Sequence, residues 1–142
     1  MSMYVLAFFI VQLLVGAYMF TFVLGAGQLN SNARATRIPD PIAVAHPLAA
    51  GGTFLLWVIY LVTEEGAFAW ATFGALLLTA SGGAVMSLKT LRGGPAVDRP
   101  AQDPADVRVA EKQIPKAAIV LHGLTFLALL SGTLLVALGV GT

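Results

Sequence analysis

Ile38-Pro39-Asp40-Pro41-Ile42-Ala43-Val44-Ala45-His46-Pro47-Leu48 is echoed further along the chain by Ile114-Pro115-Lys116-Ala117-Ala118-Ile119-Val120-Leu121-His122-Gly123-Leu124. Without a gap, Ile38, Pro39, Val44, His46 and Leu48 match Ile114, Pro115, Val120, His122 and Leu124. Each copy opens a long apolar run, and each carries one of the chain's 2 histidines.

Four such runs exist: Tyr4–Gly25, Ile42–Thr63, Ala67–Leu88 and Ala117–Val140. None contains a charged residue, and each reaches the roughly 20 apolar residues that a helix needs to cross a bilayer. Polar–apolar alternation is missing, so barrel strands are a poor reading. In hydrocarbon the backbone must satisfy its own hydrogen bonds, which makes the runs helices. The first run has no Lys or Arg before it and too long an apolar core for a signal peptide, so it reads as a transmembrane helix. The composition agrees. With 58% hydrophobic and 11% charged residues among 142, the chain has too little polar surface for an ordinary soluble domain.

The expectation is an all-α integral membrane four-helix bundle forming a single domain over 1–142. It is built of two helical hairpins joined by basic loops at 26–41 and 89–116. All 8 Lys and Arg residues fall in those loops or at their borders, and none falls in the Glu64-Glu65-Gly66 turn. The positive-inside rule therefore puts both loops in the cytoplasm and both termini outside, in the plasma (inner) membrane. Trp57, Tyr60 and Trp70 fit an outer aromatic belt. The loop at 89–116 is rich in Gly and Pro and reads as irregular. Within it, Asp103–Glu111 suggests one short surface helix. No basic patch with interleaved aromatics points to nucleic acid. With no cysteine, disulfides, thiolate metal sites and iron–sulfur clusters are excluded.

The two hairpins make the second and fourth helices parallel, so His46 and His122 lie at one depth, roughly 6–10 Å inside the cytoplasmic boundary. An ionisable group in hydrocarbon is a functional-site hypothesis by default. Haem iron accepts two axial imidazoles from facing helices of a bundle. Small residues leave room for a flat macrocycle: Ala49, Ala50, Gly51 and Gly52 after His46, and Gly123 after His122. Thr53 and Thr125 supply hydrogen bonds. On the third helix Gly74, Leu78, Ser81 and Gly82 form a small stripe. A protein-only metal site is short of ligands. Two other readings stay open: histidines that merely tie helices together, and another guest such as a chlorophyll, a metal or a proton relay. Gln12, the strongly polar residue of the first run, suits an interhelical hydrogen bond or a quinone contact. Pro47 sets the entry angle of its helix.

In its four-helix layout and two histidines the chain resembles the small b-type cytochromes and haem-bearing membrane anchor subunits of bacterial respiratory complexes. The resemblance implies haem b between histidines, exchanging electrons with quinone or with partner subunits in the membrane. Many members hold two haems and need four axial ligands; two histidines allow one. No nucleophile elbow, phosphate loop or metalloprotease helix is present, so stand-alone catalysis is not expected. The competing expectation is a non-catalytic accessory subunit of a larger respiratory or photosynthetic membrane complex.

Overall fold

A computed structural model describes residues 1–25, 34–35, 38–92, 108–109 and 114–141. The helices are α1 (Ser2–Gly25), α2 (Asp40–Thr63), α3 (Gly66–Arg92) and α4 (Lys116–Ala137). All four are long and apolar enough to cross a membrane. Their outer surface is apolar as well: Leu48, Val62 and Leu78 are 70%, 80% and 72% exposed. A water-soluble surface seldom carries so continuous an apolar cover, whereas lipid accepts it. This is the architecture of a multi-pass membrane protein.

The repeated Ile-Pro pair explains two of the helix starts. A residue before proline is pushed towards extended backbone, and proline itself supplies no N–H. Pro39 (φ −59°, ψ 134°) and Pro115 (φ −59°, ψ 131°) take the same non-helical conformation as N-caps of α2 and α4. The Pro39 carbonyl then accepts from the N–H groups of Ile42 and Ala43, and that of Pro115 from Ala118 and Ile119. Each histidine consequently lies six residues past its helix's first residue, about 9 Å along the axis. Pro47 sits deeper than the first turn, because α2 already begins at Asp40. Its missing N–H leaves the Ala43 carbonyl without the usual i+4 donor.

The packing departs from two separate hairpins. α2 packs most extensively on α3, and α1 on α4; α3 also packs on α4, and the α1–α2 contact is slighter. Only Glu64 and Glu65 separate α2 from α3, with Glu64 in the left-handed region at φ 58° and its N–H donating to the Tyr60 carbonyl. So short a turn forces its two helices together. α1 and α4 close through backbone proximity instead: a Cβ on Gly132 would meet Val5 Cγ2 at 2.8 Å. The Met1 amine donates to the Gly141 carbonyl at 3.0 Å, which ties the start of α1 to the turn that follows α4.

At the opposite end, β1 (Arg34–Ala35) and β2 (Arg108–Val109) form a two-residue parallel ladder, Arg34 pairing with Arg108 and Ala35 with Val109. Arg108 and Val109 are thus extended, where the sequence suggested a short helix over Asp103–Glu111; the rest of that stretch lies outside the described residues. Inter-strand bonds across the two loops replace the local i→i−4 bonds such a helix would use.

The main core is formed by Val5, Phe9, Trp57, Tyr60, Ala69, Leu76, Leu129 and Val136. Trp57 and Tyr60 are 0% and 7% exposed, so they belong to this core and not to an aromatic belt; Trp70, at 46%, faces outward. Trp57 stacks on Tyr60 and Phe9, with ring centroids 4.8 and 6.0 Å apart. These rings are buried in one cluster with side chains of α1, α3 and α4. Thr72 and Thr133 are fully buried, and their hydroxyls donate to the carbonyls of Phe68 and Leu129 one turn back. That satisfies a polar group without a partner on another helix. A second small cluster, Val23, Ile38 and Ala43, fills the other end.

Leu129 is fully buried at the centre of the main cluster. Leu129→Ala removes packing that lipid cannot replace inside the bundle, and should lower stability by about 2 kcal/mol. Denaturant titration in detergent measures this; an unchanged midpoint would mean that the cluster is not packed as described.

Candidate functional site

His46 and His122 lie between the two apolar clusters, and the bundle brings them together edge to face. Their ring centroids are 6.5 Å apart with planes inclined at 65°. α2 and α4 supply the rings because the repeat places both at the same height. α1 and α3 supply glycines against which the rings rest. A Cβ on Gly16 would meet Cε1 of His122 at 3.2 Å, and one on Gly83 would meet Cε1 of His46 at 3.2 Å. Gly82 flanks His46 too, where a Cβ would lie 3.5 Å from Nδ1. Any larger residue at Gly16 or Gly83 would press on an imidazole.

The ring nitrogens are held differently. His46 Nδ1 donates to the backbone carbonyl of Thr79 at 3.0 Å. A carbonyl only accepts, so Nδ1 carries the proton and a neutral His46 keeps its lone pair on Nε2. His122 Nε2 is instead met by the Gln12 side-chain nitrogen at 3.1 Å. The Thr125 hydroxyl faces the Gln12 amide oxygen and also has the Leu121 and His122 carbonyls within reach; when its proton goes to Gln12, the amide turns its N–H₂ towards the ring. His122 Nδ1 is buried and has no hydrogen-bond partner among the described residues.

Of the residues expected at the site, His46 and His122 converge. Thr125 joins them through Gln12, and its hydroxyl also lies 2.9 Å from the Leu121 carbonyl. Thr53 is buried but turns to α3: its hydroxyl donates to the Ala49 carbonyl at 2.7 Å and lies 3.3 Å from the Thr79 hydroxyl. The expected α3 stripe is corrected. Gly82 faces His46, whereas Gly74, Leu78 and Ser81 are exposed on the outside of the bundle. Gly51, Gly52 and Gly123 likewise have open space where a Cβ would stand, so they make no cradle at the rings.

Gly16 and Thr79 are participants that the sequence reading passed over. A signal existed. Gln12 and Gly16 are one helical turn apart on α1, as are Thr79 and Gly83 on α3, so each helix pairs a hydrogen-bonding position with a glycine seat on one face.

Two imidazoles sharing one metal, at about 2 Å per nitrogen–metal bond, have ring centres about 6 Å apart. The observed 6.5 Å is close to that. Among the described residues no group of three histidines or carboxylates could hold a bare ion. A metal that brings its own equatorial ligands, as haem iron does, needs only the two axial nitrogens present here. His46, with Nε2 left over beside its glycine seat, fits such a guest, whereas His122 Nε2 is engaged by Gln12. No protein-family model, curated protein or solved structure matches this chain.

The seats can be tested without any ligand. Gly16→Val should shift the imidazole resonances of His122 and leave those of His46 in place, and Gly83→Val should do the reverse. Each should cost about 1–3 kcal/mol through overpacking. Nitrogen-15 spectra of histidine-labelled protein in detergent check this; equal effects of both substitutions on both rings would contradict the arrangement.

Proposed function

We propose that this chain is a membrane electron-transfer protein or subunit holding one haem b between His46 and His122. One observation carries the reading: two imidazoles level with each other on α2 and α4, at a separation suited to a shared iron, each resting on a glycine of α1 or α3. Haem b would supply a one-electron ferric/ferrous couple. The chain's own residues would hold it and keep water out. His46 is oriented by the Thr79 carbonyl, and the apolar clusters on either side of the histidine layer give a low-dielectric surrounding. Membrane quinone or a partner subunit in the same leaflet would be the electron-exchange partner, with lipid around the bundle.

The positive-inside rule supports an orientation with both termini outside and the histidine layer nearer the cytoplasmic face of the plasma membrane. A single haem there does not by itself span the membrane, which suits exchange within one leaflet.

A non-catalytic accessory subunit of a larger membrane complex is the second reading. It is favoured by the hydrogen bonds that both rings already make to neighbouring helices, at Thr79 and Gln12. Such bonds are what purely structural membrane histidines make.

Reduced-minus-oxidised visible spectra of the purified protein, expressed with haem in supply, separate the two. The haem reading expects a b-type signal in the wild type that His46→Ala and His122→Ala each abolish or convert to a five-coordinate form. A colourless wild type points to the accessory subunit. For topology, a reporter fused after Thr142 should read as external; a cytoplasmic signal would reverse the orientation.

A further inference from the structure

We propose that Gln12 sets the order in which the two histidines accept haem iron: His46 first, His122 second. The proposal rests on the haem reading above and concerns Gln12, which that reading does not use.

The two rings are not equivalent. His46 is ready for iron, because its Nδ1 proton is committed to the Thr79 carbonyl and its Nε2 lone pair has no partner among the described residues. His122 is closed. Its Nε2 is engaged by the Gln12 amide at 3.1 Å, and that amide is itself clamped by the Thr125 hydroxyl. With the amide turned the other way round, its carbonyl would meet a protonated Nε2, and the nitrogen would be just as closed to iron. The remaining nitrogen, Nδ1, adjoins the side chain's own Cβ, where a flat macrocycle has no room. His122 therefore binds iron only after Gln12 lets go. Gln12 is thus a positioning residue: it acts on His122, not on the guest.

An intramembrane hydrogen bond of this kind contributes about 0.6–1.7 kcal/mol, so its loss should speed the second ligation roughly 3- to 20-fold. The experiment mixes apo-protein in detergent with haemin and follows the visible spectrum by stopped flow. The wild type should pass through a five-coordinate high-spin species before the six-coordinate low-spin form, and the second rate should not depend on haemin concentration. Gln12→Leu should accelerate only that second step. Thr125→Val, which keeps Gln12 but frees its amide, should accelerate it less, and it serves as the test if Gln12→Leu does not fold. His122→Ala should keep the first step and stop there; His46→Ala should lose the first step. A readout without haem accompanies these: in nitrogen-15 spectra of the apo-protein, Gln12→Leu should move His122 and leave His46 as the Nδ1–H tautomer.

A second step within twofold of wild type in both variants overturns the proposal while leaving haem binding intact. So does a His46→Ala protein that keeps the first step. A wild type that takes up no haemin overturns the haem reading, and this proposal with it.

Discussion

Two imidazoles placed in an apolar bundle create a constraint that the surrounding structure has to meet. Burying an unpaired polar group in such a medium costs several kcal/mol, so each ring nitrogen needs a partner or a guest. The bundle answers with one partner from each flanking helix: the Thr79 carbonyl from α3 and the Gln12 amide from α1. Meeting that need draws α3 onto α2 and α1 onto α4, which are the two most extensive packing pairs. The glycines follow from the same requirement. A helix backbone reaches an imidazole held on its neighbour only where no side chain stands between them, hence Gly16, Gly82 and Gly83.

Above and below this layer the bundle is held by dispersion and shape. Lipid tails are as apolar as leucine, so burying hydrocarbon in the bundle gives little driving force of its own. What remains is close fit, seen at Gly132 against Val5 and in the Phe9, Trp57 and Tyr60 rings. Thr72 and Thr133 add no obligation, because their hydroxyls return to their own helices. Apart from Trp57 Nε1, which is buried without a hydrogen-bond partner among the described residues, the polar demands of the interior are concentrated at the histidine layer. That concentration separates the site from the rest of the bundle and links fold to proposed function.

The proposed role makes use of an asymmetry that sequence symmetry hides. The repeat treats His46 and His122 alike, with the same cap and the same offset. Their partners differ because α1 and α3 differ: one presents a side-chain amide, the other a main-chain carbonyl. A carbonyl can only accept, so it dictates the tautomer of His46. An amide both donates and accepts, and here it closes the nitrogen of His122. A site built from near-identical halves thereby gains one ready ligand and one held ligand.

The sequence by itself determined the four helices, their approximate ends, the capping prolines and the equal height of the histidines. Each follows from rules that act along the chain: backbone hydrogen bonds must close locally in hydrocarbon, and proline fixes where a helix starts. Only the tertiary structure decided which helices pack most closely, that Trp57 and Tyr60 turn inward, and that Gly16 and Gly83, not Gly51, Gly52 or Gly123, seat the rings. A run that is apolar all round carries no marker of which face looks inward. Rotation about each helix axis is settled by contacts between helices, through Gln12, Thr79 and the glycines, and those contacts exist only once the bundle has formed.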